Sequence, residues 1–180
     1  MSPEEHTALG AAYEAQGKIE LARAEYEAAL AAGESAGPLL GLGNLAVTEG
    51  RPEEAEVYFR RALRHDPDSA LIRNNLAWTL LLQGKALEEA EVLAREALAR
   101  EPRLAPYIRD TLALLARRRG NLAGARAELE TALAASPEAD VSFRRQLYAH
   151  LAAVLREAGE AEAALAAERA AALLAPPGGP

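Results

Sequence analysis

Five glycines recur along this chain at nearly even intervals, Gly17, Gly50, Gly84, Gly120 and Gly159, spaced 33, 34, 36 and 39 residues apart, and each is followed five or six residues later by an alanine. No other feature constrains the fold as strongly. Self-similarity at a period near 34 residues marks a stack of helix pairs, in which no unit can bury its apolar stripe without a neighbour. Prolines keep the same interval at Pro67, Pro102, Pro137 and Pro176. Between these markers apolar residues fall three and four apart, the spacing of one helix face, and no sustained strand-like alternation occurs. Glycine suits the turn inside each pair because a helix end commonly closes on a left-handed residue. The expectation is an all-α chain of about ten helices. It forms one elongated domain over residues 1–175, in units at about 3–35, 36–69, 70–104, 105–139 and 140–177, with a flexible Pro/Gly tail over 176–180.

The first unit runs Leu9, Gly10, Tyr13, Gly17, Ala22, Tyr26 and Ala29; the second runs Leu42, Gly43, Ala46, Gly50, Ala55, Phe59, Ala62 and Pro67. The third has Leu76, Ala77, Leu80, Gly84, Ala90, Ala94, Ala97 and Pro102, with one extra residue in its turn and alanine at the aromatic place. Leu112, Ala113, Ala116, Gly120, Ala125, Leu129, Ala132 and Pro137 fill the fourth, and Tyr148, Leu151, Ala152, Leu155, Gly159, Ala164, Ala171 and Pro176 the fifth. This pattern resembles the tetratricopeptide repeat, in phase over nearly the whole chain. The resemblance implies a right-handed α-solenoid of antiparallel helix pairs. Glu168 departs from it by replacing the last unit's aromatic, and five extra residues before the fifth unit are expected to extend its first helix back to include Phe143.

Half of the residues are hydrophobic, largely alanine and leucine, enough for a continuous core between helices despite few aromatics. The formal charge of −7 disfavours nucleic acid as a partner, because phosphate recognition needs a basic face. Charge is uneven: residues 1–69 carry −7, 70–137 carry +2 and 138–180 carry −2. Arginine outnumbers lysine 18 to 2, which fits a GC-rich bacterial genome and a thermophilic source. The amino terminus, Ser2-Pro3-Glu4-Glu5, has the signature of a capped helix start rather than of a signal peptide. No run of about 18 apolar residues offers a membrane span. A cytoplasmic location without membrane attachment is expected.

Catalytic chemistry finds no foothold. His6, His65 and His150 lie in different units, cysteine is absent, and neither nucleotide-binding glycine signature occurs. Glu53-Glu54-Glu56 and Glu88-Glu89-Glu91 open second helices, where carboxylates face water and the positive end of the helix dipole. The chain is expected to be no enzyme and to hold neither metal nor cofactor.

The resemblance implies instead an inner surface, lined by the first helix of each unit, that takes a partner peptide. Register places Asn44, Asn74, Asn75, Trp78, Tyr107, Asp110, Arg117, Arg118 and Arg156 there. Asn44 and Asn75 fall where members of the family that clamp a chaperone's carboxy terminus have two asparagines. The bases that complete such a clamp are replaced by Leu40, Tyr107 and Thr111. Asparagine amides can still donate to and accept from a peptide backbone; the alternative is that they cap or solvate helices. Trp78 with Tyr107 has the composition of a binding hot spot, unless Trp78 fills a gap between helices. Arg117, Arg118 and Arg156 offer a basic end for acidic ligand groups, and at least one of the first two also offsets a helix carboxyl end. The function expected is a scaffold or adaptor for a protein or peptide partner. The alternative is homo-oligomerisation through the terminal unit, where Leu165, Leu173 and Leu174 have no following helix to cover them.

Overall fold

A computed structural model describes residues 1–137 and 140–175; the proline-rich tail at 176–180 lies outside the described residues. The chain forms helices α1 (Pro3–Ala15), α2 (Ile19–Ala32), α3 (Ala36–Thr48), α4 (Pro52–His65), α5 (Ala70–Gln83), α6 (Leu87–Arg100), α7 (Ala105–Arg118), α8 (Leu122–Ala135), α9 (Val141–Glu157) and α10 (Ala161–Leu173). No strand occurs among the described residues. They divide into two compact units, Met1–Arg100 with α1 to α6 and Glu101–Pro180 with α7 to α10.

The local signals read from the sequence act as expected. Ser2 and Glu5 form a reciprocal capping box, with the Ser2 N–H donating to Glu5 Oε2 at 2.7 Å and Glu5 N–H donating to Ser2 Oγ at 3.2 Å. All five turn glycines have positive φ, between 66° and 81°. At Gly50 an added Cβ would meet nothing within 4 Å, so the demand for glycine there is conformational rather than spatial. The longer third turn is accommodated by Ala86, the one non-glycine residue with positive φ among those described, at 49°. Helix α9 starts at Val141 and takes in Phe143.

In the first unit the second helices α2, α4 and α6 supply small residues to the core, and α3 and α5 supply larger ones. Ala22, Ala55, Ala90, Ala62 and Ala97 are fully buried, against Leu39, Leu42, Leu45, Ile72, Leu76 and Leu80. Alanine on one partner lets helix axes approach, and leucine on the other fills the space. Tyr26 shows how tight this becomes. Its ring lies against the backbones of Gly10 on α1 and Gly41 on α3, so that a Cβ at Gly10 would stand 2.7 Å from the ring and one at Gly41 would overlap it. In the second unit Leu129 on α8 joins Leu147, Leu151, Val154 and Leu155 of α9 and Ala164 and Ala167 of α10 in one cluster.

Candidate functional site

The first helices α1, α3 and α5 neighbour one another in the first unit, and the polar residues that register places on them meet between α3 and α5. Asn75 Nδ2 donates to Asn44 Oδ1 at 2.9 Å. Beside the pair lies a pocket of about 210 Å³ lined by Asn44, Val47, Thr48, Phe59, Asn75 and Trp78. Its floor is the fully buried ring of Phe59, and Trp78 forms a half-buried wall. No lining group carries a charge. The mutual bond leaves Asn44 Nδ2 as a donor and Asn75 Oδ1 as an acceptor, suited to one backbone C=O and one backbone N–H of an extended strand. Thr48 and Thr79 do not compete for these atoms, since their hydroxyls donate to the Asn44 and Asn75 carbonyl oxygens at 3.0 and 2.8 Å. Asn74, next to the pair in sequence, keeps its Oδ1 buried and without a hydrogen bond among the described residues.

The second unit handles its candidates differently. Tyr107 on α7 is 40% exposed; its hydroxyl donates to Asp140 Oδ2 at 2.6 Å and its ring packs on Phe143 of α9, centroids 4.2 Å apart and planes 31° inclined. The bond to Asp140 holds the Tyr107 phenol above its usual range, because ionising it would place two anions together. Asp110 is only 4% exposed, and its two oxygens accept from Gln146 Nε2 at 3.0 Å and His150 Nδ1 at 2.7 Å. Its carboxylate is thus part of the wall that joins α7 to α9. Arg117 Nε donates to Glu157 at 3.0 Å, which raises the guanidinium pKa and lowers that of the carboxylate. Arg156 pairs with Glu168 of α10, the residue that stands in for an aromatic. Arg118 is exposed. The basic end read from the sequence is therefore neutralised from within at Arg117 and Arg156.

The other two histidines also meet carboxylates, His6 with Glu25 at 2.6 Å and His65 with Glu34 at 3.2 Å. Among the described residues no three potential ligands gather as a metal site would need. No helix there is long and apolar enough to cross a membrane. On the terminal helix Leu165 is 47% and Leu173 87% exposed, while Leu174 is partly covered.

Sequence reasoning did not assign Val47 or Phe59 to the pocket. Phe59 was legible only as a core aromatic, because the missing Cβ at Gly43, which would overlap its ring, is what brings that ring up against α3. The glycine at that place was the available signal.

Residues 40–107 match the model of a tetratricopeptide repeat family. None of the curated proteins compared with the chain matches it. Among solved structures, the chain is similar to a thermophilic TPR protein of Thermus thermophilus, at 22% identity over 98% of this chain and 93% of that one, TM-score 0.78. It is also similar to PilW, a type IV pilus biogenesis factor, at 24% identity over 97% and 79% of the two chains, TM-score 0.83. A third likeness is to Pseudomonas aeruginosa pilF, at 23% identity over 98% and 78%, TM-score 0.77. The tetratricopeptide repeat is thus recognised across residues 40–107, and the helix pairs on both sides of that segment share the all-helical fold of these solved structures.

Proposed function

We propose that the chain is a non-enzymatic adaptor that holds an extended, uncharged stretch of a partner polypeptide on the α3–α5 face of its first unit. The fold is generally a scaffold for protein–protein interaction. The observation that carries the finer reading is the Asn44–Asn75 pair beside Trp78: one free donor and one free acceptor next to an open, apolar pocket without charge. Asn44 Nδ2 donates to a backbone carbonyl of the ligand, and Asn75 Oδ1 accepts from a backbone N–H. The adjacent side chain packs on Trp78 and Val47. Backbone amides give grip that tolerates sequence, and the pocket selects for an apolar residue. A free terminal carboxylate is not the ligand, since no cation lines the pocket.

The test is a peptide array of tiled bacterial sequences probed with the intact chain, with its hits titrated against Trp78→Ala and Asn44→Ala/Asn75→Ala proteins. Each variant is expected to weaken binding at least about ten-fold, the effect of removing an interface anchor, at low and high salt alike. Unchanged affinity in the tryptophan variant removes the site from this face.

The exposure of Leu165 and Leu173 supports a second reading, self-association through α10. Light scattering across a dilution series separates the two: a mass that falls on dilution, and that Leu165→Ser/Leu173→Ser abolishes, supports association.

A further inference from the structure

A second pocket, of about 230 Å³, opens in the second unit where the start of α8 meets the end of α9. Its walls are apolar, from Leu122, Ala123, Val154, Leu155 and Ala158, and Arg126 and Glu160 stand at its rim. The first unit shows what this place holds elsewhere.

At the junctions between consecutive helix pairs within either unit three positions recur: the residue just before the turn glycine, the residue just after it, and the residue after the first buried alanine of the preceding pair. Between α2 and α3 these are Glu49, Arg51 and Arg23, and Glu49 pairs with both arginines. Between α4 and α5 they are Gln83, Lys85 and Glu56. Gln83 Nε2 donates to the Pro52 carbonyl at 3.1 Å and to Glu56 Oε2 at 3.0 Å, and Lys85 Nζ stands 3.4 Å from the same carboxylate. Long side chains from the chain itself thus cover both junctions, and each places a cation after the glycine.

Between α8 and α9 the same positions hold Ala158, Glu160 and Arg126. Alanine cannot reach across, so the space that Gln83 fills in the first unit stands open. The residue after the glycine is now an acid. Arg126 is shared between Glu160 at 2.7 Å and Glu130 at 2.8 Å, one cation between two carboxylates. Counting Glu130, which lies one turn along α8 outside the lining, the charges around the rim leave one carboxylate in surplus, and what is missing, relative to the first unit, is a long stem ending in donors.

We propose that this pocket receives a lysine side chain of a partner protein. The four methylenes lie along Leu122, Val154, Leu155 and Ala158, as aliphatic stems of charged residues do on apolar surface. The ammonium donates to Glu160 and to the Leu122 carbonyl, the counterpart of the Pro52 carbonyl that Gln83 uses. Arg126 stays paired with Glu130, so no charge is stranded. Lysine volume suits the opening, and a carboxylate would meet Glu160 at the rim while Arg126 is already engaged by Glu130. The site lies wholly in the second unit and stands independently of the Asn44–Asn75–Trp78 pocket.

The probes are N-acetyl-lysine methylamide, its norleucine counterpart, which has the same stem without the ammonium, and N-acetyl-glutamate methylamide, titrated into the intact chain and followed by methyl NMR of Val154, Leu155 and Ala158. The lysine compound is expected to shift these methyls with at least about three-fold higher affinity than norleucine, the scale of one exposed ion pair, and glutamate to leave them unmoved. Ala158→Gln, which refills the space with the chain's own side chain, is expected to abolish the shifts while helical circular dichroism is retained. Glu160→Gln is expected to bring lysine down to the norleucine level, and Trp78→Ala to change nothing. Equal binding of lysine and norleucine, or no shift at those methyls with any probe, overturns the proposal.

Discussion

Asn75 reaches across from α5 to donate a hydrogen bond to the Asn44 side chain of α3, 2.9 Å away, and so orients both amides beside Trp78. Each amide that is spent on its neighbour has one half left for a ligand. Because Trp78 is the single tryptophan of the chain, its fluorescence reports on this pocket alone. It is half-buried, so acrylamide should quench the native protein to an extent between that of an enclosed and a free indole. A bound peptide should reduce that quenching. Asn44→Asp, which replaces the free donor with an acceptor, should remove the protection at unchanged helicity.

Two glycines of the second helix pair should respond to alanine for different reasons. Gly50→Ala forces a Cβ on a residue at φ 71° with open space around it, and should cost about 1–2 kcal/mol, the strain of a left-handed residue. Gly43→Ala drives a methyl group into the Phe59 ring and should cost about 1–3 kcal/mol or more as overpacking. Urea unfolding measures both. Phe59→Leu in the Gly43→Ala background should recover part of the loss in the second case, whereas nothing near Gly50 can relieve the first.

Stability should fall at high pH through Tyr26. Its phenol is buried and donates to Glu14 Oε2 at 2.6 Å; burial first, and the carboxylate second, push its pKa far above the ordinary value. A raised folded-state pKa means that the folded state holds the proton more tightly than the unfolded state. The contribution is complete below the unfolded value, near 10, and is lost as pH climbs above it. Unfolding midpoints between pH 8 and pH 12 should therefore decline, and Tyr26→Phe should flatten the decline. At pH 7 the same variant should cost about 1 kcal/mol for the lost hydrogen bond.

Asp110 should behave as a structural residue of the second unit. Asp110→Ala removes the common acceptor of half-buried His150 and exposed Gln146 from a buried position, and should cost about 1–2 kcal/mol in chemical denaturation, since water can take up the two freed donors. Asp110→Asn should cost less. Its Oδ1 still accepts from Gln146, and its Nδ2 can donate to His150 Nδ1 in the tautomer that leaves that nitrogen unprotonated.

The sequence by itself determined everything that depends on neighbours in the chain. Period, turn glycines, the Ser2 cap and the small-residue places follow from backbone geometry that each residue imposes locally, and five copies of the signal reinforced one another. That α9 begins early enough to include Phe143 was equally legible, because helix propensity runs on without a breaker. The register of the first helices also brought Asn44, Asn75 and Trp78 within reach of one another, since helical spacing fixes which residues share a face. Tertiary structure decided what those residues do with their polar atoms. The partners of Asp110 lie 36 and 40 residues away, those of Arg117 and Arg156 40 and 12, and pairing across helices depends on side-chain reach that no local pattern records. The same holds for the empty place at Ala158: an alanine before a turn glycine looks ordinary in sequence, and becomes a pocket only because its counterparts Glu49 and Gln83 span a gap that it is too short to cross.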